Sequence, residues 1–321
     1  MAIDLGAPIV GCAEVDCPTT ASTNETSADC RVADHTFTAI GLSNFQPPTN
    51  ISSDDFTWTE GIETYDNLDP SIDFDRIFER NFYLGTPPAF AQSNSSRYGF
   101  CALFFTQVTN DVKFDSSPIE TAVGTCDEAM TQNCVNSLLE QAVSAAASFA
   151  NQNSDEACGN LLSNFQNNLS SACPQFATGD NWQGLAVKTL TGPDAPTPLT
   201  EAQNATTNCY PTLPKSNLLT RVAAFNTSGT ALQNSTVANF YRITPILTLF
   251  YPTDGDGDAV LQKPEALFTC LKVTGETNAA TNTSSPKDKN SGGGSEATPW
   301  SVLTLATIGL VGVLSAMALS F

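Results

Sequence analysis

The chain is poor in histidine and in positive charge: His35 is its only imidazole, and 13 basic residues stand against 33 acidic ones. A Ser-His-Asp or Cys-His mechanism would have to use His35, and no Gly-X-Ser-X-Gly elbow is present to hold a serine for it. His35 is therefore read as a surface or packing residue. Asp-Thr-Gly and Asp-Ser-Gly triplets are also missing, which excludes two facing aspartates that share one proton. No cysteines have Cys-X-X-Cys spacing, so a zinc site of the usual type is not expected. The net charge of −20 repels phosphate backbones and argues against nucleic-acid binding; its ordinary meaning is solubility. No repeat of solenoid or propeller period occurs.

What is present points to the secretory route. Ten cysteines form an even set, as a disulfide framework in an oxidising compartment requires. Asn-X-Ser/Thr acceptors occur at Asn24, Asn50, Asn94, Asn168, Asn204, Asn226, Asn234 and Asn282, each with a non-proline middle residue. Ser291, Gly292, Gly293, Gly294 and Ser295 precede a short polar spacer and an uncharged apolar run from Trp300 to Phe321. That order of parts is a glycosylphosphatidylinositol (GPI) signal, with attachment expected at Asn290 or Ser291. A retained transmembrane helix fits less well, because the run carries no basic flank and is diluted by Thr304, Thr307, Gly309, Gly312, Ser315 and Ser320. Met1 to Cys12 contains Asp4, no basic n-region and too short an apolar stretch for a signal-peptide core, so the leader is expected to precede Met1.

Three regions follow. Residues 1–273 form a disulfide-bonded ectodomain, 274–295 a low-complexity stalk with the GPI attachment region, and 296–321 the spacer and tail removed on processing. The stalk has no aromatic or large aliphatic residue after Val273, so it is expected to be disordered.

Within the ectodomain, Met130, Val135, Leu138, Leu139, Ala142, Val143, Ala146 and Phe149 recur at helix spacing across Cys126 to Ala150, with Thr125 and Glu128 as a capping box. Ala157, Leu161, Leu162, Phe165 and Leu169 mark a second amphipathic stretch, Glu156 to Cys173. The two predict an antiparallel helical hairpin. Counted from a turn at Gln152 and Asn153, Cys134 lies about 18 residues back and Cys173 about 20 forward, almost level at about 1.5 Å per residue. These two are the expected disulfide; Cys158, near the turn, is expected to bridge to another layer. Phe100 to Phe105, Phe240 to Tyr251 and Ala266 to Val273 read as strands, with looser alternation over His35 to Leu42 and Phe56 to Thr64. The fold class expected is α+β, with the helical hairpin central and β-strands flanking it.

Two stretches could carry chemistry. Asp254, Asp256, Asp258 and Glu265 have the carboxylate spacing of an EF-hand calcium loop, but Ala259 replaces the turn glycine, Pro264 precedes the Glu, and strands flank the loop. The reading is a solvated acidic turn. Glu60, Glu63, Asp66, Asp69, Asp73, Asp75 and Glu79 share a segment with Trp58, Tyr65, Phe74 and Phe78, as a sugar cleft with two carboxylates would. Nothing in the spacing singles out an acid and a nucleophile, so the segment is read as an acidic, partly helical surface. Tyr83-Leu84-Gly85-Thr86-Pro87-Pro88 is similar to a short stretch near the start of pepsin-like proteases. Without their catalytic triplets it is read as a turn closing an extended segment.

The Ser/Thr/Asn/Ala-rich composition, the stalk and tail of residues 274–321, and the local runs Phe82 to Pro88, Cys101 to Phe105 and Gly124 to Cys126 resemble GPI-anchored and secreted surface glycoproteins of filamentous fungi. The resemblance implies a lipid-anchored ectodomain on the extracellular face of the plasma membrane or in the cell wall. It carries over no catalytic residue. The expected role is structural or interactive, with a wall-polysaccharide-acting enzyme using two carboxylates as the alternative. No cofactor or metal is expected, and the partners are the membrane, through the GPI lipid, and a cell-wall glycan.

Overall fold

Two strands of eleven residues, β4 (Phe56–Asp66) and β5 (Arg76–Thr86), pair antiparallel and set the frame. The computed structural model describes residues 9, 11, 15, 30–66, 76–91, 97–168, 172–173, 184–229, 233–253 and 260–275. On its flanks this pair meets β3 (Ala39–Phe45) and β8 (Leu218–Gly229), giving a first sheet in the order β3-β4-β5-β8. A second antiparallel sheet has the order β10-β9-β6-β7, from β6 (Tyr98–Phe105), β7 (Leu185–Thr189), β9 (Thr244–Pro252) and β10 (Glu265–Leu271). A small hairpin, β1 (Cys30–Val32) with β2 (His35–Phe37), is a separate two-stranded sheet.

Alternation decides which sheet face meets which. Phe56, Trp58, Phe82 and Leu84 turn to one face of the first sheet and pack on Phe100, Phe104 and Phe250 of the second. The Trp58 and Phe104 ring centroids lie 5.6 Å apart, those of Phe82 and Phe104 5.1 Å. Trp58 donates its indole N–H to Thr248 Oγ1 at 3.0 Å, so its polar end is satisfied inside the core. Each such ring contributes roughly 2 to 3 kcal/mol by leaving water.

Every residue of β6 is buried. Its even-numbered rings face the first sheet, while Cys101 and Phe105 face a helical layer, through the Cys101–Cys158 disulfide and a Phe105–Phe165 contact at 6.1 Å. Burial on both faces is why Phe100 to Phe105 reads as an unbroken apolar run.

The helical layer comprises α2 (Cys126–Met130), α3 (Gln132–Ala146) and α4 (Ser154–Asn167). The single helix expected over Cys126 to Ala150 is two, because Thr131 breaks it with φ of 74°. Glu128 accepts the Thr125 N–H at 3.3 Å, as the capping box requires. Gln141 Nε2 donates to Asn164 Oδ1 at 3.0 Å and ties α3 to α4. Cys134 is joined to Cys173, and Cys126 to Cys270 in β10. The shorter helices are α1 (Pro88–Ala91), α5 (Glu201–Ala205) and α6 (Gln233–Phe240).

The outer face of the first sheet is capped by the β1–β2 hairpin and residues 207–217. Thr59 and Thr57 hydroxyls donate to the carbonyls of Pro211 and Leu213 at 2.6 and 2.7 Å, and Cys30 is bonded to Cys209. Phe37 lies flat against Gly61, where a Cβ would come within 2.5 Å of the ring.

The molecule is α+β with disulfides, yet strand outweighs helix, 38% to 23%. The sheets, and not the helices, occupy its centre. The segment from Glu60 to Glu79, expected as an acidic and partly helical surface, is the pair β4 and β5 where described, with Glu60 and Glu63 buried. Trp58, Ile62 and Thr64 alternate inward there, and the period-2 pattern prevails over the acidic composition. Among the described residues no helix is long and apolar enough to cross a membrane. The described residues all belong to one compact unit, within Met1–Pro286.

Candidate functional site

Glu60 and Glu63 are three residues apart on β4, so strand alternation sends them to opposite faces of the first sheet. Each is the centre of a different polar cluster.

The inner cluster lies at one end of the sandwich. Glu60 Oε1 accepts from Arg80 Nη1 of β5, and Arg80 Nη2 donates to the carbonyls of Asn239 and Phe240 at the end of α6. Glu60 is fully buried and its Oε2 has no hydrogen-bond partner. Burial, partly offset by Arg80 and Lys272, pushes its carboxyl up to about 7. Lys272, just beyond β10, is 1% exposed. Its ammonium donates to the carbonyls of Ile119 (2.6 Å) and Glu120 (3.3 Å) and stands 5.2 Å from the centre of the Tyr241 ring. Burial brings Lys272 down to about 8 against the opposing pull of Glu60 and Glu120.

Beside this cluster is a cavity of about 60 Å³. Lys113, Arg242 and Lys272 line it, with apolar walls that include Val112, Phe114 and Ile243. Arg242 donates Nη2 to Asn239 Oδ1 at 2.5 Å, while its buried Nε–H has no acceptor. Desolvation, with Arg80 nearby, lowers the Arg242 pKa.

The outer cluster centres on Glu63. Its Oε1 pairs with His35 Nδ1 at 2.8 Å, and its Oε2 accepts from the Tyr65 hydroxyl. Burial and the Glu63 carboxylate push the Tyr65 phenol well above its ordinary range. Glu79 sits directly opposite Glu63 in the β4–β5 register and faces Arg221 at 3.8 Å. On the same face of β5, the amide of buried Asn81 and the hydroxyl of buried Tyr83 have no hydrogen-bond partners. His35 thus packs as expected, stacked on Phe37, and also holds a carboxylate.

No protein-family model, curated protein or solved structure matches the chain. Its functional reading rests on its own residues.

Of the residues singled out in the sequence, Asp254, Asp256 and Asp258 lie outside the described residues, while Glu265 opens β10 opposite Phe250. Asn50, Asn168 and Asn226 are exposed and Asn204 is half-buried. Asn24, Asn94, Asn282, Asn290 and Ser291 lie outside the described residues, as does the side chain of Asn234. Sequence reasoning passed over Arg80, Arg242 and Lys272. For Lys272 the signal is a lone cation inside an apolar run, Leu271-Lys272-Val273, whereas Arg80 stands between Glu79 and Asn81 and carries no such signal.

Proposed function

We propose that this chain is a GPI-anchored glycoprotein of the cell surface or cell wall, with a structural or interaction role. The observation that carries the reading is the set of four disulfides among the described residues. They join sheet to helix, helix to strand and cap hairpin to cap loop, over sequence separations up to 179 residues. Such a framework fits an extracellular or secreted protein, because reducing compartments do not sustain it. The Cys134–Cys173 bridge closes the base of α3 and α4, which we read as an antiparallel hairpin. Exposed acceptors at Asn50, Asn168 and Asn226 and the small-residue cluster before the apolar run of 300–321 support glycosylation and GPI attachment at Asn290 or Ser291.

The test is release of the leader-equipped chain from intact cells by phosphatidylinositol-specific phospholipase C, with mass mapping of its C-terminal peptide. A lipid-modified terminus at Asn290 or Ser291 is expected. An intact peptide through Phe321 overturns the anchor.

A second reading, a polysaccharide-acting enzyme with two carboxylates, is favoured by one observation: Glu63 and Glu79 are direct cross-strand partners on one face. Glu60 cannot join them, since it faces the other way. Sugar release from wall glucan that falls about 100-fold or more in both Glu63→Gln and Glu79→Gln would support this reading. A parent protein without such activity removes it.

A further inference from the structure

We infer that the cavity between the 110–122 segment and the end of α6 binds a small aliphatic carboxylate such as acetate. Three cations, Lys113, Arg242 and Lys272, line it, and none of its lining residues is acidic, in a chain of net charge −20. The cations are graded in depth: Lys113 is exposed, Arg242 half-buried and Lys272 withdrawn from solvent. Glu60 and Glu120 act on Lys272 electrostatically, but neither borders the cavity.

Arg242 supplies the feature that asks for a ligand. Its Nε–H is buried without an acceptor while its Nη2 is held by Asn239, so the guanidinium is oriented with one donor unused. A buried donor left unmade is costly, and a carboxylate oxygen would satisfy it with a charge-assisted bond. Lys272 has two carbonyl partners for three hydrogens, which leaves a third to offer.

The walls select among anions. Val112, Phe114, Ile119 and Ile243 present hydrocarbon beside the cations. A methyl group is welcome against that surface, whereas phosphate, charged on all sides, would lose hydration there without compensation. At about 60 Å³ the space is small, with room for a few waters or one small acid.

The experiment is saturation-transfer NMR on the acetate methyl with the full chain, chloride being exchanged for acetate at constant ionic strength. Transfer that saturates at millimolar acetate is expected, with butyrate at least tenfold weaker. Arg242→Gln should weaken acetate at least tenfold. Lys113→Ala, at an exposed position that does not endanger folding, should weaken it about threefold. No transfer in the parent, equal transfer in Lys113→Ala, or displacement of acetate by equimolar phosphate would each overturn the assignment.

Discussion

The carboxylate of Glu60 on β4 meets the guanidinium of Arg80 on β5 between the two sheets, with both side chains closed off from solvent. Such a pair is costly to bury, and breaking it by removing one partner leaves the other charge stranded. Its position has a consequence for pH. Burial raises the folded Glu60 carboxyl from its ordinary 4.5 to about 7. Between those values the folded chain holds a proton that the unfolded chain has lost, so stability falls as pH rises through the window. The full contribution is on the order of 3 kcal/mol, present below pH 4.5 and lost above about 7. Lys272, lowered from 10.5 to about 8, acts in the opposite sense: the unfolded chain binds the extra proton, and stability recovers as pH rises from about 8 to 10.5. Urea unfolding across pH 4 to 10 should show both limbs, and in Glu60→Gln the acid limb should flatten. Coincident slopes for parent and variant between pH 4.5 and 7 would dispose of the argument.

Tyr83 and Tyr65 make a contrasting pair. The Tyr83 hydroxyl is buried without a partner, whereas that of Tyr65 donates to Glu63. Tyr83→Phe should therefore be neutral or stabilising by up to about 1 kcal/mol, and Tyr65→Phe destabilising by about 1.5 to 3 kcal/mol. Denaturant midpoints of the two variants, measured side by side, check the sign of each.

Two glycines should respond oppositely to the same methyl group. At Gly41 on β3 a Cβ would stand 1.9 Å from the backbone oxygen of Lys272, where no side chain can give way. Gly41→Ala should cost about 2 to 3 kcal/mol by forcing the segment after β10 away from β3. Gly159 lies within α4 with nothing within 4 Å of its Cβ position. Gly159→Ala should stabilise by about 0.5 to 1 kcal/mol through helix propensity. Thermal melts that moved in the same direction would contradict the close approach at Gly41.

The Cys30–Cys209 bridge fastens the β1–β2 hairpin to the 207–217 cap across 179 residues of sequence. Replacing both cysteines with serine should cost roughly 4 kcal/mol, because so long a loop leaves the unfolded chain much freer. Amide exchange should rise first at Arg31, whose N–H is held by Asn208 Oδ1 at 2.6 Å. Peptide mapping without reductant should recover that pair together with Cys101–Cys158, Cys126–Cys270 and Cys134–Cys173.

The sequence by itself determined what depends on neighbours along the chain. The run Phe100 to Phe105 reads as a buried strand and the repeat through Leu138 and Ala142 as a helix, and both form; Cys134 and Cys173 are joined as expected, although α4 ends at Asn167 and the second helix does not reach Cys173. Strand β8 escaped notice because Leu218 to Gly229 mixes exposed Arg221, Ala224 and Asn226 with apolar residues on an edge, where one face is open. Burial of Glu60 and Glu63 was not legible, since carboxylates in sequence signal solvent, and it is distant partners that allow them inside. Arg80 lies 20 residues from Glu60, His35 lies 28 from Glu63, and Lys272 is more than 150 from the carbonyls it holds. Sheet order, the two clusters and the cationic cavity were therefore decided only by tertiary structure, because each consists of contacts between segments whose spacing in sequence carries no record of their meeting.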